Sequence, residues 1–531
     1  MLGLSLPPTG FYPLAWVALV PILVRWRMAT SLLDYGREVY ATFLVLACSA
    51  GFWLLFHPDP GRAAMGGLGL LIVPIPLAAA FVLAVPVRTR YGTAAGLAAL
   101  FLNVIATEYL MLHVSGGIPW LLLGHTQAAS GVFAQQADLG GVLLLTAWVL
   151  GLNIAAALTV PLLRPAAATK AQPPNLPPLM ERGAGVAAFA VILVAPVLYS
   201  AATSATPDRP VGFVRVGIVQ PGVSPDVWDE QSPTDRVEYL ASLSTSLLER
   251  WRGEAGEGFT TMRPTASNLS GGLLVWPQGA IPDMGDRGRS DRLIARLGVW
   301  SSRQNVDLLA GASTASFARR QAWANTGSPG EEVDTPEDET GTGSAALLIR
   351  NGRPTERYDQ MRRLPLADRD TPLGSSRVLF TSGGARLATP LGFESVFGDH
   401  MRSFANDGAD AFVVLSQSDW WGRTGAAAQH LAITQLRAIE TRRSIVVTTV
   451  GGGASLISPT GTIESLADWM KPALVPLDVA LYRGSTFYTS HGDWLGQIAF
   501  WLALLGNIGV WASFKLMPPP KAVERRRSVW A

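Results

Sequence analysis

Four polar side chains in short turns after apolar runs are the candidates for chemistry in this sequence. Gln278 is presented by V-W-P-Q-G-A-I-P at the end of a predicted strand, and Gln360 lies in Y-D-Q-M-R-R. Glu394 and Ser395 are adjacent in P-L-G-F-E-S. A carboxylate can take a proton from a hydroxyl nucleophile, so Ser395 with Glu394 as its base is a candidate catalytic pair. Neighbouring residues rarely point to one centre, however, and a nucleophile and its base must meet within hydrogen-bond distance.

The composition argues against several kinds of site. The single cysteine, Cys48, rules out an intramolecular disulfide and a cysteine metal cluster. The six histidines are scattered without the spacing of metal ligands. A net charge of +2 over 531 residues gives no sign of nucleic-acid binding. We therefore expect no metal, no cofactor and no nucleic-acid partner.

The elements that must position these residues include membrane-spanning helices. Hydrophobic residues make up 49% of the chain and charged residues 15%, whereas soluble domains have about 25% charged residues. A span needs about 20 apolar residues, or about 17 at the short end. The sequence thus predicts a polytopic α-helical membrane bundle. Seven stretches are long enough to span, at roughly 9–25, 39–56, 67–86, 93–113, 141–162, 184–203 and 494–514.

Basic residues orient the predicted spans. They are concentrated in alternate loops and in the tail after the last span, and basic loops remain in the cytoplasm. The sequence therefore predicts about six spans in residues 1–209, an extracytoplasmic domain in 210–490, and a last span with a basic cytoplasmic tail in 491–531. The seven spans leave the N-terminus outside, so we expect that a first helix is missing from the sequence or lost.

The predicted outer domain has the pattern of an α/β protein. Two helical patterns, at 290–300 and 429–440, alternate with short apolar runs, which favours layers of helices and sheets. The acidic stretch 331–340 is expected to be a solvated surface loop. The predicted strands are 214–219, 272–276, 306–312, 345–349, 411–416, 444–449 and 454–458.

Several longer blocks resemble those of bacterial apolipoprotein N-acyltransferases, which are membrane enzymes with a nitrilase-like domain. In the membrane part they include G-F-Y-P-L-A-W-V-A-L-V-P and I-P-W-L-L-L-G-H-T-Q. In the outer part they include V-W-P-Q-G-A-I-P, Y-D-Q-M-R-R-L-P-L-A-D, S-Q-S-D-W-W-G and Q-H-L-A-I-T-Q-L-R-A-I-E-T-R-R. The resemblance implies a nitrilase-like αββα sandwich and a place in the bacterial inner membrane. It also implies acyl transfer from a phospholipid to the N-terminal cysteine of a lipoprotein.

Three positions at which that family carries its catalytic residues differ in this sequence. The resemblance places a cysteine nucleophile at Gly392, a glutamate base at Gln278 and a lysine at Gln360. Glycine offers no nucleophile, and a glutamine amide neither takes a proton near neutral pH nor carries positive charge. The resemblance therefore predicts that no catalytic set is intact. We expect a non-catalytic pseudoenzyme that binds phospholipid, lipoprotein or a protein partner.

Five further residues are candidates for the pocket by the same resemblance. Asp368 stands where the family has a second glutamate, and Phe393 stands where it has a tyrosine. Glu394 is retained, and the preferred interpretation is a structural one, in which this acid bonds the backbone of the turn that begins at position 392. Trp276 and Trp420 are expected in the pocket wall or in the core.

Two other functions stay open. The chain is an active apolipoprotein N-acyltransferase, or another acyltransferase, if its site is rearranged around a residue such as Ser395. Alternatively, it is a structural subunit of a larger membrane complex. Glu108, an ionisable residue inside a predicted span, indicates either a functional site or polar packing between helices.

Overall fold

The computed structural model consists of a helical part followed by two β-sheets and a final helix. It describes residues 1–57, 60–113, 119–160, 179–205, 209–254, 272–282, 287–313, 343–363, 373–417, 422 and 424–516. The helices in these ranges are α1 Leu2–Ser5, α2 Val20–Met28, α3 Leu32–Gly51, α4 Pro60–Ile72, α5 Pro74–Tyr91, α6 Thr93–His113, α7 Ala137–Thr159, α8 Leu179–Ala205, α9 Pro225–Glu230, α10 Pro233–Glu254, α11 Arg287–Gln304, α12 Gly398–Asn406, α13 Gly425–Thr441, α14 Phe487–His491 and α15 Trp494–Leu516.

The membrane bundle is confirmed by helices that are long and apolar enough to cross a bilayer. Within the described ranges there are 6 of them, and their exposed apolar side chains are those that lipid would contact. The predicted span 93–113 coincides with α6. The six helical segments are Leu32–Phe56, Pro60–Tyr91, Thr93–His113, Phe133–Thr159, Gly183–Thr203 and Trp494–Leu516.

The first predicted span, 9–25, is not a single helix. A 3₁₀ turn, Tyr12–Trp16, is followed by α2, which has only 9 residues. Nine residues rise about 14 Å, well short of the roughly 30 Å hydrocarbon core. The reason is the spacing of Pro13 and Pro21, because each proline begins a helical segment and cannot continue one from before.

The break in this N-terminal segment is bridged by one polar residue of the bundle. The Leu19 N–H donates to Asn153 Oδ1 at 2.8 Å, and Asn153 Nδ2 donates to the Ala15 carbonyl at 2.7 Å. Asn153, on α7, is fully buried. Irregular backbone at membrane depth is tolerated when protein groups satisfy it, so Asn153 permits the broken segment to pack inside the bundle.

The outer domain is an αββα sandwich, as predicted. One sheet has the order β12-β1-β2-β3-β4-β5 and the other β11-β10-β9-β8-β7-β6. Their facing sides share a buried core, whereas α10 and α11 cover the other face of the first sheet and α12 and α13 pack on the second. The strands are β1 Gly212–Gln220, β2 Leu273–Ile281, β3 Asp307–Ser313, β4 Ser344–Arg350, β5 Arg353–Asp359, β6 Leu379–Ser382, β7 Ala385–Ala388, β8 Ala411–Leu415, β9 Ile445–Thr448, β10 Ser455–Ile457, β11 Ile463–Ser465 and β12 Ala473–Leu481.

Helix α13 joins the sandwich to the bundle. Its C-cap residue, Arg442, forms an ion pair with Asp138 at the start of α7. Asp138 also accepts a hydrogen bond of 2.7 Å from the hydroxyl of Tyr199 on α8. One carboxylate therefore links a helix of the outer domain to two helices of the bundle.

Candidate functional site

Position 392 begins a sharp turn between strand β7 and helix α12. Leu391 still pairs with Leu415 of β8, and the 3₁₀ turn Gly392–Val396, here called the elbow, follows directly. Gly392 has φ of +54°, in the left-handed region that favours glycine. A Cβ at this residue would lie 3.1 Å from Gln278 Oε1. Any side chain at 392 would therefore point at the Gln278 amide.

Gln278 reaches this point from the end of strand β2. The pairing of β2 with β3 shifts register between Trp276 and Ile281, which leaves the backbone around Gln278 outside the regular ladder. The Gln278 Nε2 donates to Ser344 Oγ at 3.0 Å. The amide is thus held by a neutral hydroxyl with its oxygen towards Gly392.

Ser344 brings Gln360 to the same place. The Gln360 N–H donates to the Ser344 carbonyl at 2.9 Å, so the strand ends that carry Gln278 and Gln360 meet at one serine. The side chain of Gln360 is turned back, because its Nε2 donates to the Arg362 carbonyl at 2.7 Å. The structure therefore brings together Gln278, Gln360 and Gly392, and all three are uncharged.

Glu394 holds the elbow in place from inside. Its carboxylate accepts the N–H groups of Leu391 at 2.8 Å, Met361 at 2.6 Å and Arg362 at 2.9 Å, and the hydroxyl of Tyr358 at 2.8 Å. The residue is fully buried. Burial, followed by the charge of Glu394, raises the pKa of Tyr358, so the phenol stays a donor. These bonds occupy the carboxylate in a structural role.

The side chains of Ser395 and Glu394 do not form the catalytic pair that the sequence offered as a candidate. Ser395 Oγ lies 2.9 Å from His430 Nε2 and 2.9 Å from Thr434 Oγ1, both on α13, while the Glu394 carboxylate accepts hydrogen bonds from backbone N–H groups. Burial lowers the pKa of His430 to about 4, against a hydrogen bond with the Gly392 backbone that raises it. The imidazole is therefore neutral at physiological pH.

The remaining pocket candidates separate into three groups. Phe393 is half-buried and packs edge-on against Trp120, with ring centroids 5.6 Å apart. Trp276 lies in the core between the first sheet and its helices, where its Nε1 donates to Ser244 Oγ at 2.8 Å. It is a core residue and not a pocket wall. Asp368 and Trp420, like the acidic stretch 331–340, lie outside the described residues.

Comparison with known proteins shows which proteins this chain is similar to. A family model described as the apolipoprotein N-acyltransferase N-terminal domain matches residues 1–155. The apolipoprotein N-acyltransferase of Chlorobaculum tepidum is 24% identical to this chain, over 95% of this chain and 93% of that protein. The one from Azotobacter vinelandii is 26% identical, over 99% and 96%. The chain is therefore similar to the apolipoprotein N-acyltransferases over nearly its whole length.

The similarity to these relatives runs through both parts of the chain, and its apolar helices make it a membrane protein. Among solved structures, an amidase from Nesterenkonia sp. matches 55% of this chain and 98% of the amidase. The identity is 14% and the TM-score 0.36.

Glu108 makes packing contacts inside the membrane bundle. Its Oε1 accepts the Leu123 N–H at 2.8 Å, and its Oε2 accepts the hydroxyl of Thr146, which itself accepts the Gly124 N–H at 2.9 Å. The carboxylate therefore fixes the turn Leu123–Gln127 against helix α7.

Three residues of the site were not found from the sequence. Ser344 carries no motif, since it is only the first residue of an apolar strand. His430 and its neighbour Gln429, which bonds Trp120, lie in the Q-H-L-A-I-T-Q block, but nothing in one sequence shows that this helix faces the elbow.

Among the residues that the structure describes, no group of three or more His, Cys, Asp or Glu side chains could hold a metal ion.

Proposed function

We propose that this protein is a non-catalytic pseudoenzyme of the bacterial inner membrane, related to the apolipoprotein N-acyltransferases to which it is similar. The observation that carries the proposal is Gly392, whose missing side chain would point at the Gln278 amide 3.1 Å away. In the resembled family these positions hold a cysteine and a glutamate. The scaffold around the site is intact, because Glu394 and Ser344 still hold the elbow and the strand ends.

The chemistry lost at the three positions is that of a covalent acyl transfer. Such a transfer needs an atom to form the acyl bond, a base to take its proton, and a positive charge for the developing oxyanion. Gly392 has no such atom, Gln278 is no base near neutral pH, and Gln360 is neutral. In a protease with a catalytic triad, removing the nucleophile alone lowers the rate by about 10⁶.

The proposed ligand is a phospholipid or a lipoprotein, or a protein partner that uses the same surface. This follows from the name shared by the relatives, apolipoprotein N-acyltransferase. The proposed arrangement has membrane helices in 1–209, a periplasmic domain in 210–490, and a last helix with a cytoplasmic C-terminus in 491–531. Arg88 and Arg90 at the end of α5 support this orientation, because basic ends stay inside.

Back-substitution tests the proposal. The purified protein and the variant Gly392→Cys/Gln278→Glu/Gln360→Lys are placed in vesicles with a phospholipid and a diacylated lipopeptide. We expect no acyl transfer by the unchanged protein and measurable transfer by the triple variant. Gly392→Ala/Gln278→Glu/Gln360→Lys is the matched control, since it restores everything except the thiol. Transfer by the unchanged protein at enzyme-like rates would overturn the proposal.

A rearranged active site is the second candidate, and the Ser395–His430 contact of 2.9 Å is what favours it. A neutral imidazole beside a hydroxyl can act as its base. Ser395, however, is fully buried and shared with Thr434. We expect a serine-directed phosphonate probe to leave the protein unlabelled. Labelling that disappears in Ser395→Ala would establish this second function instead.

A structural subunit of a membrane complex is the third candidate. A stable complex that copurifies from native membranes, and that is unaffected by substitutions at Gln278 and Ser344, would distinguish it from a ligand-binding pseudoenzyme.

A further inference from the structure

We infer that Gln429 is a positioning residue that couples the elbow to the membrane bundle through helix α13. The inference goes beyond the proposed function, because it concerns how the site is set from the membrane side and not whether the site turns over. Its elements are Gln429 and His430, which are consecutive on α13, and the indole of Trp120.

Gln429 is bonded entirely to the membrane part. Its Oε1 accepts the indole N–H groups of Trp53 at 3.1 Å and Trp120 at 2.8 Å. Its Nε2 donates to the carbonyls of Ala50 at 2.8 Å and Pro7 at 3.1 Å. The side chain is buried, and two acceptor and two donor positions are all that an amide has. Because each bond is to a group at least 309 positions away in the chain, Gln429 ties α13 to the bundle.

His430, the next residue, is bonded to the elbow. Successive residues of a helix point about 100° apart, so the two side chains leave α13 in different directions. The His430 Nε2 lies 2.9 Å from Ser395 Oγ, inside the elbow. The imidazole thus contacts the turn that contains position 392.

Trp120 contacts both Gln429 and the elbow. Besides donating to Gln429, its ring packs on Phe393 of the elbow, with centroids 5.6 Å apart, and on Trp53, 5.5 Å apart. Phe393 in turn packs on His430 at 5.1 Å. A shift of the segment around Trp120 therefore changes the elbow by two routes, through the helix and through the aromatic contact.

A single-thiol reporter tests the coupling without any catalysis. The only native cysteine is Cys48, so Cys48→Ser/Gly392→Cys carries one thiol, at the elbow. We measure its rate of alkylation by N-ethylmaleimide in lipid vesicles. Adding Gln429→Leu should change the rate at least about fivefold, as expected when buried hydrogen bonds that hold one conformation are lost.

The matched control is Gln435→Leu, which also removes a glutamine bond on α13. Gln435 Nε2 donates to the Gly461 carbonyl at 2.6 Å, and this hydrogen bond does not involve the elbow. Gln435→Leu should leave the alkylation rate within about twofold. This change is smaller than the one expected when a buried hydrogen bond that holds the elbow is lost. A reporter at the exposed Arg353, made as Cys48→Ser/Arg353→Cys, should respond to neither substitution.

Bilayer thickness supplies a readout that a merely structural role would not affect. A thinner or thicker bilayer changes the tilt of spanning helices. The rate at the elbow should differ between dimyristoyl- and dioleoyl-phosphatidylcholine vesicles, and Gln429→Leu should abolish the difference. Should Gln429→Leu fail to fold, Trp120→Phe keeps an aromatic ring at this position and removes the hydrogen bond to Gln429. Equal rates for the Gln429→Leu and Gln435→Leu proteins, or no effect of Trp120→Phe when it is the variant used, would overturn the inference.

Discussion

At position 392 the backbone conformation and the missing side chain belong together. Gly392 has a left-handed φ of +54°, which glycine adopts readily. In an enzyme whose strand-to-helix elbow presents a nucleophile, the nucleophilic residue must adopt a strained conformation of this kind. The sequence alone showed which residue types stand at 278, 360 and 392. It could not show that Ser344 joins two of them, because that contact depends on the pairing of distant strands.

The cost of a side chain at the elbow is the first prediction. Gly392→Ala should lower the free energy of unfolding by about 1 kcal/mol, because alanine is strained at positive φ and its Cβ would crowd Gln278 Oε1. Thermal unfolding in detergent measures it. Gly131→Ala is the control, since no atom lies within 4 Å of its Cβ position and its φ is ordinary. A Gly392→Ala protein more stable than its parent would contradict the strained elbow.

The pH dependence of stability is the second prediction. Burial lowers the pKa of folded His430 to about 4 from 6.5. Between these values the unfolded chain binds the proton and the folded chain does not, so stability falls as pH falls through this window, by at most about 1.4 kcal/mol per pH unit. His430→Gln should flatten the slope, and the exposed His491→Gln should not. An unchanged slope in His430→Gln denaturation curves would count against the buried neutral imidazole.

At the scale of elements, apolar runs in the sequence predicted seven strands but missed β5, β6, β7, β11 and β12. All seven apolar runs of the outer domain correspond to strands, and the helix predicted at 429–440 is α13. Strand β5, R-P-T-E-R-Y-D, was missed because it is an edge strand with an exposed, charged first half. The span 9–25 failed because hydropathy ignores proline, whose effect on helix continuity is set by backbone hydrogen bonds.

The broken N-terminal segment gives the third prediction. Asn153→Leu leaves the Leu19 N–H and the Ala15 carbonyl without their partner inside the bundle, and it should destabilise the protein by about 2 kcal/mol or more. Asn507→Leu, which loses only a side-chain pair with Asn103 and a local bond, should cost about 0.6 kcal/mol. Thermal unfolding of both variants in the same detergent compares them. Equal losses would mean that Asn153 does not satisfy the break.

At the scale of the whole molecule, a membrane bundle and a sandwich are joined mainly along α13. Composition and hydropathy predicted the bundle, and the family resemblance predicted the sandwich. The joint itself was not predictable, because Gln429 and Arg442 look like ordinary polar residues of an amphipathic helix until their partners Trp120 and Asp138 are placed.

Orientation gives the fourth prediction. In a Cys48→Ser background, Arg353→Cys should react with a membrane-impermeant maleimide in cells whose outer membrane has been permeabilised and whose inner membrane is intact. Arg37→Cys, also exposed in the structure, should react only after the inner membrane is lysed. The reverse pattern would contradict the placement of the large domain outside.

We propose that the site forms no acyl–enzyme bond, and intact-protein mass spectrometry after incubation with phospholipid vesicles is the sharpest test of this proposal. The unchanged protein should keep its unmodified mass, while Gly392→Cys/Gln278→Glu/Gln360→Lys should gain the mass of one fatty acyl group. An acyl adduct on the unchanged protein, mapped to the outer domain, would contradict it.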